Sequence, residues 1–173
     1  TVISITDNYG NSAANSVKYV NIGLSSSGNG KLTDSRPLTE LQLPVGAVYI
    51  PEGMYEYVYA DFRMHNDEYF LIKYDASTAS GNIALDGTQT KKVTVEIPDG
   101  MKGTVIYPDM MSKDESSAPG LDFTDKAEFY LSDGTYSPYV ALQTADALKQ
   151  ITVNVPEFKL NADRKIVISG DFS

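Results

Sequence analysis

The chain has 173 residues, with 14 Lys and Arg against 23 Asp and Glu, a formal charge of −9. An acidic field of that size repels phosphate backbones and anionic headgroups, which argues against nucleic-acid and membrane-surface partners. There is no Cys, so disulfides, thiolate zinc sites and cysteine nucleophiles are excluded and stability must come from apolar burial. No apolar run approaches the ~20 residues of a membrane-spanning helix, so no membrane insertion is expected.

Taken in chain order, Ile3-Ser4-Ile5-Thr6 alternates with a period of two and ends at the turn-forming Asp7-Asn8-Tyr9-Gly10-Asn11. Val17-Lys18-Tyr19-Val20-Asn21-Ile22 reads as a second strand, and Ser25 to Gly30 as a loop. Val48-Tyr49-Ile50 precedes a Pro51-Glu52-Gly53 turn, after which Tyr55, Tyr57 and Tyr59 fall on one face of the next strand. His65 sits in a loop before Phe70, Ile72 and Tyr74, and the Ile83-Ala84-Leu85 strand stops at Asp86-Gly87. Val93, Val95 and Ile97 alternate with Thr94 and Glu96 and lead to Pro98-Asp99-Gly100. Met110 to Gly120 reads as a long loop, followed by Phe129-Tyr130-Leu131 and a Ser132-Asp133-Gly134 turn. Thr144 to Gln150 is the best helical stretch and is too short for more than a turn or two. Ile151, Val153 and Val155 form another alternating run, and Ile166-Val167-Ile168 closes at Ser169-Gly170-Asp171. The expected fold class is all-β.

A repeat runs through these elements. Val48-Tyr49-Ile50 with Gly53 and Tyr55 returns as Phe129-Tyr130-Leu131 with Gly134 and Tyr136, an offset of 81 residues that also carries Phe70, Ile72 and Tyr74 onto Ile151, Val153 and Val155. Ile3–Asp7 matches the slot filled by Ile83–Asp86 and Ile166–Ser169, while Val17–Ile22 resembles Val93–Ile97. The expectation is two tandem β-sandwich modules, 1–91 and 92–173, with 1–11 as the last strand of a preceding unit and a parent chain extending beyond both ends.

Ile50-Pro51-Glu52-Gly53-Met54-Tyr55 and Leu131-Ser132-Asp133-Gly134-Thr135-Tyr136 resemble the "apolar, Pro, x, Gly, x, Tyr" hairpin of prealbumin-like (transthyretin-like) sandwich modules, the group of carboxypeptidase-regulatory-like and PEGA-like domains. The resemblance implies a turn Gly at positive φ and a Tyr that starts the return strand. Thr6-Asp7-Asn8-Tyr9-Gly10-Asn11-Ser12-Ala13 is similar to the "D-x-x-G-N" corner of bacterial Ig-like domains in extracellular subtilases and adhesins. Both resemblances imply a non-catalytic accessory module of a secreted or surface-displayed bacterial protein, an extracellular protease among the candidate parents. Neighbouring domains of the same polypeptide, a cell-wall polysaccharide or a host or extracellular protein would be its partners.

Candidate chemistry is sparse. His65 is the sole histidine and no G-x-S-x-G elbow accompanies any serine, so a Ser-His-Asp arrangement is not expected and the chain reads as no enzyme. Asp109, Asp114, Glu115, Asp122 and Asp125 cluster in and around one loop; hard oxygen ligands of that kind suit calcium, and no other cofactor is expected, although the D-x-[DN]-x-[DN]-G loop is absent. Tyr55, Tyr57 and Tyr59 are the candidate ligand-binding residues, as a platform for sugar rings. They suggest the alternative function of a carbohydrate-binding module on a cell-wall or polysaccharide-degrading enzyme, against the plainer reading of cross-strand packing.

Overall fold

Alternation of apolar and polar residues drives most of the described residues into strands. The computed structural model describes residues 2–11, 17–26, 32–37, 47–49, 55–75, 82–110 and 122–169, with side chains at 4–11, 61–74, 84–110 and 122–169. Its strands are β1 (Val2–Thr6), β2 (Val17–Ser26), β3 (Leu32–Pro37), β4 (Ala47–Tyr49), β5 (Tyr55–Met64), β6 (Tyr69–Asp75), β7 (Asn82–Asp86) and β8 (Thr90–Glu96). They continue as β9 (Val105–Asp109), β10 (Phe123–Thr124), β11 (Lys126–Ser132), β12 (Gly134–Tyr136), β13 (Tyr139–Gln143), β14 (Gln150–Asn154), β15 (Phe158–Leu160) and β16 (Arg164–Val167). The fold is all-β, with single 3-10 turns at Gly87–Gln89 and Asp99–Met101. Thr144 to Gln150, the best helical stretch by sequence, is the loop of the β13–β14 hairpin, closed by Thr144 N–H to Lys149 O and by Ala147 at φ 61°.

The chain divides into two compact units, Thr1–Thr90 with Tyr130–Ser132, and Lys91–Phe129 with Asp133–Ser173. In the first, β1 lies between β4 (antiparallel) and β7 (parallel), and a second ladder runs β6-β5-β2-β3, all antiparallel. Tyr130 and Leu131 pair in parallel with Phe70 and Leu71 of β6. Its core includes Ile5, Phe62, Phe70, Ile72, Leu85 and Leu131, each no more than 4% exposed. Phe70 is stacked between Phe62 (centroids 4.8 Å, planes 9° apart) and Tyr130 (4.6 Å, 12°), a ladder of rings across three strands.

In the second unit β8 lies between β16, its parallel neighbour, and β11, while β10-β9-β13-β14 form an antiparallel sheet. Alternate residues of these strands are buried: Ala127 and Phe129 on β11, Ile106 and Pro108 on β9, Val140 and Leu142 on β13. A further pair, β12 with β15, sets Tyr136 beside Phe158.

Three features of the strand pairing and turns differ from the expectation. The Gly134-Thr135-Tyr136 segment is not a hairpin, since β12 pairs with β15 rather than with β11; Gly53 lies outside the described residues, and on either side of it β4 pairs with β1 and β5 with β2 and β6. Turn residues mark where a chain bends, not which sheet it joins next. Nor does Gly134 adopt positive φ, which among the described glycines is confined to Gly10 and Gly103. Gly134 lies under the Tyr136 ring instead, where an added Cβ would sit 3.6 Å from Cε2. Burial and the nearby Asp133 charge push the Tyr136 phenol far above its ordinary range. The strand at Val2–Thr6, read as the closing strand of a preceding unit, pairs with β4 and β7 of the first unit.

Short polar contacts secure the strand ends. Asp7 Oδ1 accepts the N–H groups of Tyr9 (2.8 Å) and Asn11 (2.9 Å), which closes the Asp7–Asn11 corner. Asp86 Oδ1 accepts Thr88 N–H (2.9 Å), Thr88 Oγ1–H (2.6 Å) and Thr6 Oγ1–H (3.1 Å), so one carboxylate caps the 3-10 turn and ties β7 to β1. These bonds, Thr88's first, hold its pKa below the usual carboxylate value. A depressed folded-state pKa adds stability that is complete above the unfolded value and fades as pH falls through the folded one. Asp86→Ala is therefore expected to lose about 1–2 kcal/mol at neutral pH, with the gap to the parent narrowing below about pH 4. Denaturant titrations of both proteins across that range check it.

Candidate functional site

The outward face of the β9-β13-β14 ladder gathers the described residues best placed to meet a ligand. On β9 the buried Ile106 and Pro108 alternate with Tyr107, which is 40% exposed. On β13 the buried Val140 and Leu142 alternate with Tyr139, 37% exposed, and Ala141. On β14 Gln150, Thr152 and Asn154 are exposed. Register brings Tyr139 opposite both Asp109 and Asn154, and Ala141 opposite Tyr107 and Thr152. The face thus presents two aromatic rings among amide, hydroxyl and carboxylate groups.

Both phenols are anchored. Tyr107 O–H donates to Gln143 Oε1 at 3.2 Å, which orients its ring across the strand. Tyr139 bonds to the Asp109 carboxylate, and that bond together with the negative charge holds its pKa above the ordinary tyrosine value. Replacing the carboxylate by a neutral amide in Asp109→Asn is expected to bring Tyr139 back toward about 10. An ultraviolet tyrosinate titration, with Tyr139→Phe subtracted to isolate the group, measures this; an unchanged curve would refute the coupling.

The residues singled out by sequence fare differently. Tyr55, Tyr57 and Tyr59 lie on β5, which is flanked by β2 and β6, so Tyr57 stands opposite Ser25 and Asp75, and Tyr59 opposite Gly23 and Lys73; their side chains lie outside those described. Asp114 and Glu115 also lie outside the described residues. Asp109 ends β9, Asp122 is exposed just before β10, and Asp125 occupies the turn after it. Asp125 has φ 66°, and its Oδ1 accepts Gly103 N–H at 2.6 Å, so that carboxylate braces a turn. Among the described residues, no three His, Asp or Glu side chains are grouped to hold a metal ion. His65 is exposed in the turn between β5 and β6, closed by Met64 N–H to Glu68 O at 2.8 Å.

The β9–β13 face was not picked out by sequence reasoning. Its signal was present in a weak form, because Ile106-Tyr107-Pro108 and Tyr139-Val140-Ala141-Leu142 alternate and put each Tyr opposite its apolar neighbours.

No family model matches this chain, and no curated protein matches it. Among solved structures, one described as a "putative adhesin" from Bacteroides ovatus ATCC 8483 aligns over 100% of this chain and 93% of its own, at 12% identity and a TM-score of 0.31.

Proposed function

We propose that this chain is a tandem pair of seven-stranded β-sandwich modules of prealbumin-like or Ig-like type, serving as a non-catalytic spacer, stabilising or binding region of a secreted or cell-surface multidomain protein. The observation that carries this reading is a recurrent strand order. The first unit has β7-β1-β4 and β6-β5-β2-β3, the latter extended by Tyr130–Ser132 of β11; the second has β16-β8-β11, with β11 counted to Phe129, and β14-β13-β9-β10. In each, the first strand lies parallel to the last and beside the fourth, while the third, second, fifth and sixth strands follow one another, with β12 and β15 as insertions in the second. Two stretches of one chain with the same connection order are what a duplicated module produces.

A second reading is favoured by the Tyr107–Tyr139 face: a carbohydrate-binding module, with the rings stacking on sugar and Gln143, Thr152 and Asn154 bonding its hydroxyls. Glycan-array binding by the purified chain, together with a hydrolase panel, separates the readings. The spacer reading expects neither retention nor hydrolysis. Retention lost on Tyr107→Ala or Tyr139→Ala would replace it with the second, and turnover of any substrate would overturn both. Labelling of intact cells of the source organism with an antibody to the chain tests the surface location.

A further inference from the structure

We infer that each unit is a tension-bearing clamp, built so that force passing along the polypeptide loads the ladder between its first and last strands in shear. This rests on the two-module reading above and adds a mechanical role to it.

The geometry follows from strand direction. β1 and β7 are parallel over five register pairs, Val2↔Asn82 to Thr6↔Asp86, so the chain enters at one end of the ladder and leaves at the other. β8 and β16 are parallel over four, Arg164↔Val93 to Val167↔Glu96, with the same consequence. Opposed forces at the two ends of a unit therefore pull its first and last strands past one another, straining the whole row of hydrogen bonds together. Had these strands been antiparallel, the same forces would open the bonds one after another from a single end.

The residues reinforce this ladder where load would enter and leave. In the second unit Lys92 N–H bonds Asp163 Oδ1 at 2.9 Å before the first pair, and Ile168 N–H bonds Glu96 O at 2.9 Å after the last. The Lys165 ammonium reaches the Glu96 carboxylate at 3.2 Å across the same two strands. In the first unit Gly87 N–H bonds Thr6 Oγ1 at 3.2 Å, which in turn bonds Asp86. One side of each ladder is dry, since Ile5, Leu85, Val93, Val95 and Ile166 are buried, so water cannot readily replace a strained bond. Only Gly87–Gln89 separates β7 from β8, so little slack chain lies between the ladders.

Because the chain lacks Cys, engineered thiols give unique handles for single-molecule pulling of the whole protein. Gln89→Cys with Ser169→Cys loads β8 and β16 in shear; Gln89→Cys with Ala162→Cys peels the same strands apart, and all three positions are exposed. At one loading rate the shear pair is expected to rupture at a several-fold higher force, since forced unfolding reports the barrier along the loaded direction. Equal forces in the two geometries overturn the clamp. Handles at Thr1 and Ser173 should give two separate unfolding steps; a single step overturns the two-module reading itself, so the two failures are told apart.

Discussion

Phe70→Ala is expected to cost about 4 kcal/mol, within the roughly 3–5 kcal/mol that Phe truncation costs in a closed core. Phe70 has no exposed surface and sits in the middle of the ring ladder, so truncation opens a cavity and removes two stacked contacts at once. β6 is held on both sides, by β5 and by Tyr130–Leu131, so the walls have little freedom to collapse into the gap. A unit of this size retains on the order of 5–10 kcal/mol in total, so the variant should approach half unfolding in the first unit at modest denaturant. Phe70→Leu, which keeps most of the apolar volume but no stacking, should lose about 1–2 kcal/mol. Tyr130→Ala should fall between them, because that ring is only half-buried. Denaturant unfolding of the three variants gives the order, and a Phe70→Ala loss below that of Tyr130→Ala would mean that the ladder is not the centre of this core.

The strands themselves were legible in the sequence because a half-buried strand writes its two faces as alternating residue types. Val140 and Leu142 face inward on β13 as period-two patterning requires, whereas on β8 Thr94 is buried along with Val93 and Val95, so the polar face expected there is covered. Partnership was not legible. Ile3-Ser4-Ile5-Thr6 matches Ile83-Ala84-Leu85-Asp86 in pattern, and by sequence alone the match reads as equivalence between successive units. In the structure these are in-register neighbours, Ile3 beside Ile83 and Ile5 beside Leu85, sharing a pattern because they share a sheet and a direction. Under the duplicated-module reading proposed above, β1 would correspond to β8 and β2 to β9, whereas the sequence pattern aligns β2 with β8. Site prediction failed for a related reason. A row of three Tyr on one strand draws the eye, whereas Tyr107 and Tyr139 stand on different strands and meet only once register is known. Acidic residues near in sequence likewise do not specify where their carboxylates turn, and Asp125 spends its Oδ1 on the Gly103 amide.

Gly87→Ala tests the backbone side of the same unit and should be the other severe substitution, with a loss of about 3 kcal/mol, at the upper end of ordinary overpacking. A Cβ at Gly87 would lie 2.5 Å from the Asp7 carbonyl carbon, 2.6 Å from its oxygen, and closer still to Thr6 O. These are main-chain atoms, so no side-chain rotation relieves the clash; the end of β1 must move away from β7. That movement also draws Thr6 Oγ1 from Gly87 N–H and from Asp86, so the steric cost arrives with the loss of both bonds. Gly100 supplies the control: nothing lies within 4 Å of its Cβ position and its φ is not in the left-handed region. Gly100→Ala should therefore be neutral or stabilise by about 0.5 kcal/mol, through reduced freedom of the unfolded chain. If thermal unfolding gave the two variants equal midpoints, the close approach of Gly87 to Thr6 and Asp7 would be refuted, and with it the tight closure of the β1–β7 ladder that the tension-bearing role requires.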